Sequence, residues 1–249
     1  MRYLKKRIET EEYVDLAGEE GILVLTHSPS VAGRYNKEGV PVLGILGRDG
    51  EGSFEGIPYL VMEPLPEDVE YYEQVYRRYR KLPWEILVTE RTRLRETVVE
   101  DVPEFYRMYE EPSITRYMEG LFEDMAEEVA YTIQYRENIY ELFGFGIWTV
   151  LDRETGELIG RAGITSREGF EEPEIGFVIR KDRQKEGIAF EVCNALLSYA
   201  KEVLEFDVIT AFVMPQNVPS VRLLEKLGMK PEGEYYLGTK KHIRYRRML

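Results

Sequence analysis

The sharpest change of hydrophobic period along the chain falls within residues 173–200. Residues 174–179 read EIGFVI, a short apolar run with β-branched positions, which predicts a buried strand. Residues 181–186 carry no apolar side chain. From Ile188 the period lengthens: Ile188, Val192, Ala195, Leu196, Tyr199 and Ala200 recur at steps of three and four, one face of a helix. The pattern therefore predicts strand, polar loop, helix, with Gln184-Lys185-Glu186-Gly187-Ile188-Ala189 at the junction. A second such unit follows. VITAFVM at 208–214 predicts a strand, and residues 221–227 a helix that stops at Gly228, a residue suited to a helix C-terminus.

Earlier in the chain, apolar runs at 21–26 (GILVLT), 40–46 (VPVLGIL) and 58–62 (PYLVM) predict strands. They alternate with a short helix at 30–38 and a longer one at 67–80. The longer helix groups Val69, Tyr72, Val75, Tyr76 and Tyr79 on one face and places Glu67 and Asp68 at its start. Such alternation implies a small parallel sheet. Ile86-Leu87-Val88 either completes that sheet or leads into a linker, and a domain boundary is expected near residue 90. Beyond it come a strand at 92–97 and a helix bearing Phe105, Met108 and Tyr109. Helical stretches at 113–117 and 124–140 follow. Two strands at 145–152 and 157–166 are joined by Arg153-Glu154-Thr155-Gly156, a hairpin signal.

Composition narrows the function. A formal charge of −13 argues against nucleic-acid binding, which needs a basic footprint, and suits basic acceptors such as amines. One cysteine, Cys193, excludes a disulfide framework and a cysteine metal cluster. No apolar run has the length of a signal peptide core or of a membrane span, so a cytoplasmic protein without membrane attachment is expected. His27 and His242 fall in different expected domains, which supports neither a metal site nor a serine–histidine triad. Metal is not expected. Thr26, Ser28 and Ser30 fit either an anion site or a helix cap and turn.

The junction at 184–189 has a chemical use. The first N–H groups of a helix lack partners and carry the positive end of its dipole, so a loop that turns them outward suits a pyrophosphate. With Q-x-x-G-x-A at 184–189 and N-x-x-S-x-x-L-L-E-K-L-G-M at 217–229, residues 91–249 resemble the GNAT superfamily of N-acetyltransferases, and within it the ribosomal-protein-alanine branch. The resemblance implies an α/β fold whose mixed, mostly antiparallel sheet is flanked by helices. Residues 1–90 would then form a small accessory α/β domain with a short parallel sheet. That part faintly resembles a degenerate haloacid-dehalogenase-like or Rossmann-like fragment, but no D-x-D or G-x-G-x-x-G pattern supports either chemistry.

The same resemblance implies acetyl-CoA as cofactor and a primary amine as acceptor, either a protein N-terminus or a small cationic amine, attacked directly in a ternary complex. A homodimer fits the family as well. Backbone N–H groups of Lys185, Glu186, Gly187, Ile188 and Ala189 would take the pyrophosphate, with Gln184 opening the loop and Arg180 and Arg183 as phosphate partners. Phe177, Val178 and Ile179 would line the pantetheine arm, and Asn217 would contact it beside the acceptor. Glu174 is the expected base, or else a solvated glutamate of an acidic turn. Ser220 is the expected proton donor for the thiolate, or a helix N-cap. Leu224 stands where many family members carry a tyrosine donor, and Glu186 where related loops carry a basic residue. These departures leave a non-catalytic acyl-CoA sensor as the alternative. Trp148, Tyr131, Tyr135 and Tyr140 fit either an acceptor pocket or core. The acids Glu110, Glu111, Glu119, Glu123, Asp124, Glu127 and Glu128 fit a cationic acceptor.

Overall fold

In the computed structural model, which describes residues 3–16, 18–47, 53–64 and 68–249, two sheets are built from consecutive parts of the chain. Contacts divide the chain into two units, Met1–Trp84 and Glu85–Leu249. The first holds four parallel strands in sequence order, β1 (Lys6–Glu9), β2 (Ile22–Thr26), β3 (Val42–Ile45) and β4 (Leu60–Val61). Helices α1 (Pro29–Lys37) and α2 (Val69–Tyr79) supply its other layers. Successive residues of a strand point to opposite faces. Val24 and Val42 accordingly pack with Val31, Ala32 and Tyr35 of α1, whereas Leu23, Leu25 and Leu43 pack with Tyr72, Val75 and Tyr76 of α2. Both faces of β2 and β3 are thus covered, which is why they read as unbroken apolar runs.

Strand β1 lacks that signal. Its sequence, KRIE, is charged and half-exposed, as befits an edge. Just before it, the buried Glu73 of α2 accepts the Tyr3 and Leu4 N–H groups, both at 2.8 Å, and the Arg77 Nε at 2.9 Å. The expected helix start at Glu67 lies outside the described residues. At the N-terminus of α1, Ser28 accepts from Val31 N, and Thr26 accepts from Ser28 N at 3.1 Å. The carboxylate of Glu11 takes the His27 N–H and the Thr26 hydroxyl. Thr26 and Ser28 therefore serve as turn and cap, with the chain's own carboxylate beside them.

The second unit holds eight strands in the order β11-β12-β10-β9-β8-β7-β6-β5. These are β5 (Glu85–Val88), β6 (Thr92–Arg95), β7 (Ile147–Asp152), β8 (Leu158–Thr165), β9 (Glu174–Ile179), β10 (Val208–Val213), β11 (Lys230–Leu237) and β12 (Lys240–Met248). Ile86-Leu87-Val88 thus belongs to this sheet, as its edge, and pairs antiparallel with β6. All neighbours are antiparallel except β9 and β10.

On one face lie α3 (Val102–Tyr109), α4 (Pro112–Thr115), α5 (Met125–Tyr135) and α6 (Glu141–Phe143), the last two joined by a π-helical turn at Arg136–Tyr140. On the other lie α7 (Ile188–Glu202) and α8 (Val218–Lys226). The α7 face read from the sequence packs into the main core through Ile188, Val192, Leu196 and Ala200, with Cys193 among them. Its thiol, fully enclosed, is pushed up by burial and is a packing group. Helix α8 begins three residues before the expected start, because Asn217 caps it and Pro219 sits comfortably in its first turn. The C-terminal arginines of β12 are engaged rather than left to solvent. Arg244 is nearly enclosed and pairs with Glu172 and Glu232, and Arg246 pairs with Glu172.

Two glycines of β8 allow its neighbours to approach. A Cβ at Gly163 would overlap the carbonyl oxygen of Gly146, and one at Gly160 that of Val178. Gly163→Ala should therefore cost roughly 1–3 kcal/mol, a fall in Tm of about 3–10 °C by thermal unfolding. Gly120→Ala, whose Cβ would meet nothing within 4 Å, should leave Tm within about 1 °C.

Candidate functional site

Strands β9 and β10 run parallel but share a single register pair, Glu174 with Thr210. Beyond that pair they part, and the main chain of β9 faces an opening. Residues of an antiparallel ladder give their N–H and C=O groups alternately to one side and the other. Arg180 N donates to Ile159 O on the β8 side, and Thr210 N donates to Pro173 O on the β10 side, both at 2.8 Å. The alternation turns the groups of Ile175, Phe177 and Ile179 toward the opening and those of Val178 toward β8. Of the three residues expected to line a pantetheine arm, Phe177 and Ile179 thus turn backbone groups toward the opening. Val178 does not, because its own are aligned with β8.

The loop after β9 folds back on its own strand. A single 3-10 turn at Lys181–Arg183 is followed by Gln184, whose Nε2 donates to Ile179 O at 2.8 Å and folds the loop back on the strand. Lys185 and Gly187 take φ values of 67° and 83°. The left-handed region costs an L-residue on the order of 1 kcal/mol, so Lys185 carries strain that a glycine would avoid. Helix α7 starts immediately after Gly187 with no side-chain cap. Its first N–H groups, those of Ile188 and Ala189 included, therefore have neither an intrahelical partner nor a side-chain cap.

Arginines and carboxylates brace this loop. Glu186 is exposed, and its carboxylate pairs with Arg183 at 3.2 Å. Arg183 also pairs with Asp152 of β7 at 3.0 Å, and Arg180 with Asp182 and Glu157. The two expected phosphate partners are thus already neutralised within the chain. Arg91, in the β5–β6 turn, donates to Glu186 O at 2.9 Å and to Glu191 of α7 at 2.7 Å. A groove of about 520 Å³ runs between this turn and the start of α7, with Arg91, Gly187, Phe190 and Asn194 along it. Neither Arg91 nor Glu191 has a local sequence signature, because they meet across 100 positions.

At the point of divergence Glu174 is 9% exposed. It is no solvated glutamate. Arg167 donates to both of its oxygens, at 2.5 and 3.0 Å. On α8, Asn217 Oδ1 accepts the Ser220 N–H, so Asn217 is the N-cap and Ser220 lies inside the first turn. The Asn217 amide nitrogen is left to donate. Leu224 is 1% exposed in the core, so no hydroxyl stands at that position.

Of the aromatic candidates, Trp148 and Tyr140 are core, whereas Tyr131 is 42% exposed. Tyr131, Tyr135 and Tyr140 form a row with ring centroids 5.7 and 5.2 Å apart, and the π-helical turn brings Tyr140 into line. Several acids expected to attract a cation have structural work instead. Glu111 caps α4, Asp124 caps α5, and the buried Glu128 accepts the Phe122 N–H.

This strand parting is followed directly by a helix start that has no side-chain cap. A family model described as an acetyltransferase (GNAT) domain matches residues 91–230, more than half of the chain. The chain belongs to the GNAT acetyltransferase family and is an N-acetyltransferase. An N-acetyltransferase of Bacillus licheniformis is 31% identical in an alignment of 159 positions that covers 60% of this chain and 84% of the relative. Two solved structures show the fold. One is a ribosomal-protein-alanine acetyltransferase from Vibrio fischeri, with 19% identity and a TM-score of 0.53 over 65% of this chain and 95% of its own. The other is a spermidine N-acetyltransferase chimera that includes the Vibrio cholerae protein, with 21% identity and a TM-score of 0.53 over 64% and 96%. Nothing in these comparisons supports a dehalogenase-like reading of residues 1–90. Among the described residues no helix is long and apolar enough to cross a membrane.

The loop's acid sensitivity follows from Asp152. The Thr155 N–H and the Arg183 guanidinium hold its carboxyl down to about 2, from 3.8. A depressed carboxyl adds stability above its unfolded value and loses it as pH falls through the folded one. Asp152→Asn should therefore lower Tm at pH 6, and the gap from the parent should close between about pH 4 and pH 2. Thermal unfolding across that range reads it directly.

Proposed function

We propose that this chain is an acetyl-CoA-dependent N-acetyltransferase that transfers acetyl to a primary amine by direct attack. The observation that carries it is the parting of β9 from β10 immediately upstream of the uncapped α7 start. Acetyl-CoA supplies the activated acetyl group as a thioester. The N–H groups of Lys185 through Ala189 would hold the pyrophosphate, with the Glu186 charge drawn aside onto Arg183. The N–H of Phe177 or Ile179 would face the pantetheine and thioester, where a fixed donor steadies the oxygen that gains charge. The Asn217 amide nitrogen would donate to the same arm. Residues 1–84 are read as an accessory unit to this module.

Two proton transfers complete the reaction. An amine with a pKa of roughly 8–10 arrives charged and must give up a proton before it attacks. Glu174 is the carboxylate at the point of divergence. Both its oxygens accept from Arg167, so it takes that proton only by releasing one guanidinium bond, directly or through water. Ser220, in the first turn of α8, would donate its proton to the departing thiolate and take in its place the proton that the acylated nitrogen loses. The buried Leu224 keeps the non-catalytic acyl-CoA sensor as the rival reading, and thiol release separates the two.

Calorimetry on the full chain should show acetyl-CoA binding in the range of roughly 1 μM to 1 mM usual for enzyme substrates. Gly187→Trp should lose that binding, and retained affinity would place the pyrophosphate elsewhere. Glu174→Gln should lower kcat about 100-fold or more at unchanged acetyl-CoA affinity. Unchanged turnover would remove Glu174 from the mechanism, and binding without thiol release from any amine would favour the sensor.

A further inference from the structure

Arg161 lies in the middle of β8, directly opposite Val178 of the parting strand β9 and Thr149 of β7. By register it shares a sheet face with Glu174 and Thr210, the face that α3 covers with Phe105 and Met108 beside Val178. Its guanidinium carbon stands 4.5 Å from the Phe105 ring centroid, and its charge opposes the rise that burial gives the Tyr109 pKa. Its charge also reaches Tyr131, Tyr135 and Tyr140. Its Nε is buried without a partner.

Arg167, Arg180, Arg183, Arg244 and Arg246 each hold a carboxylate, whereas Arg153 and Arg247 donate to the carbonyl oxygens of Thr89 and Leu227. Among the described residues Arg161 holds no carboxylate. The acid acting on Tyr109 and Tyr131 is Glu128, which is buried and accepts the Phe122 N–H, and it makes no ion pair with Arg161. A half-buried guanidinium without an anion is costly to keep, and its planar fork suits a carboxylate.

We propose that Arg161 anchors a carboxylate on the acceptor, so the substrate is an amine that carries a carboxylate rather than a polyamine. This rests on the acetyl-transfer reading of the same site. The carboxylate comes either from a free amino acid or from an acidic residue near a peptide N-terminus. In either case the amine is directed toward the divergence of β9 and β10 while the acid is held over β8.

The test uses the full chain, acetyl-CoA and matched acceptors. These are glutamate against its diamide, a short peptide with an acidic second residue against its amide twin, and spermidine. Thiol release should favour the carboxylate member of at least one pair by tenfold or more in kcat/KM, mainly through KM, and which pair responds identifies the source. Arg161→Gln should reduce that preference to within about twofold, and Arg161→Lys should keep part of it. Acetyl-CoA affinity by calorimetry should stay unchanged in both variants, which checks folding. Preference for spermidine or the amides, or a carboxylate preference that survives Arg161→Gln, would overturn the proposal while leaving acetyl transfer intact. Absence of acetyl-CoA binding in the parent chain would overturn the acetyl-transfer reading, and this proposal with it.

Discussion

The second unit depends on one constraint: β9 and β10 meet at Glu174 and Thr210 and nowhere further along. A parallel pair that continued would bury its backbone groups in a ladder and close the sheet. Stopped after one pair, it leaves the N–H groups of Phe177 and Ile179 facing open space inside an otherwise continuous eight-stranded sheet. Unsatisfied main-chain groups are tolerated only where water or a ligand meets them. The opening also aims the end of β9 at the start of α7, so one ligand can use the strand edge and the helix terminus together.

Ion pairs hold that geometry from outside. Glu172, just before β9, binds both Arg244 and Arg246 of β12, which lies beyond β10. Those two bridges clasp the approach to β9 over the face of β10, where Phe170, Phe212 and Tyr235 pack edge to face around the Arg244 guanidinium. The Arg167–Glu174 pair closes the same corner. On the far side, Asp152–Arg183 and Arg91–Glu191 pin the loop and α7 to the rest of the sheet. Partly enclosed charges of this kind fix position more than they add stability, because their desolvation offsets much of the attraction.

Much of this was legible in the sequence where one local rule decides the outcome. EIGFVI forms a strand because its apolar, β-branched residues agree with burial, and its bounds match the run read from the sequence. The α7 face follows from its period, and the loop from Gly187. What escaped was set by distant partners. Lys6–Glu9 became a strand because β2 offered an edge and Glu73 held the chain before it, not because KRIE prefers extension. Ile86-Leu87-Val88 could have joined either sheet on pattern alone. The direction of Val178's main chain follows from strand register, which residue type does not encode. The capping of α8 by Asn217 rather than Ser220 is a three-residue shift between two good capping side chains, and Pro219 in the first turn resolves it.

Net charge is the weakest guide of all to the acceptor. The chain carries 46 acids against 33 basic residues, which by itself suggests a cationic partner. The acids around α4 and α5 tell otherwise, since Glu111, Asp124 and Glu128 are committed to backbone N–H groups. Near the opening, Glu172 and Glu174 are committed to arginines. A carboxylate already bonded in this way offers little to an incoming ammonium unless a partner is released. On the proposal above, the charge that meets the acceptor is the guanidinium of Arg161, whose Nε is buried without a partner.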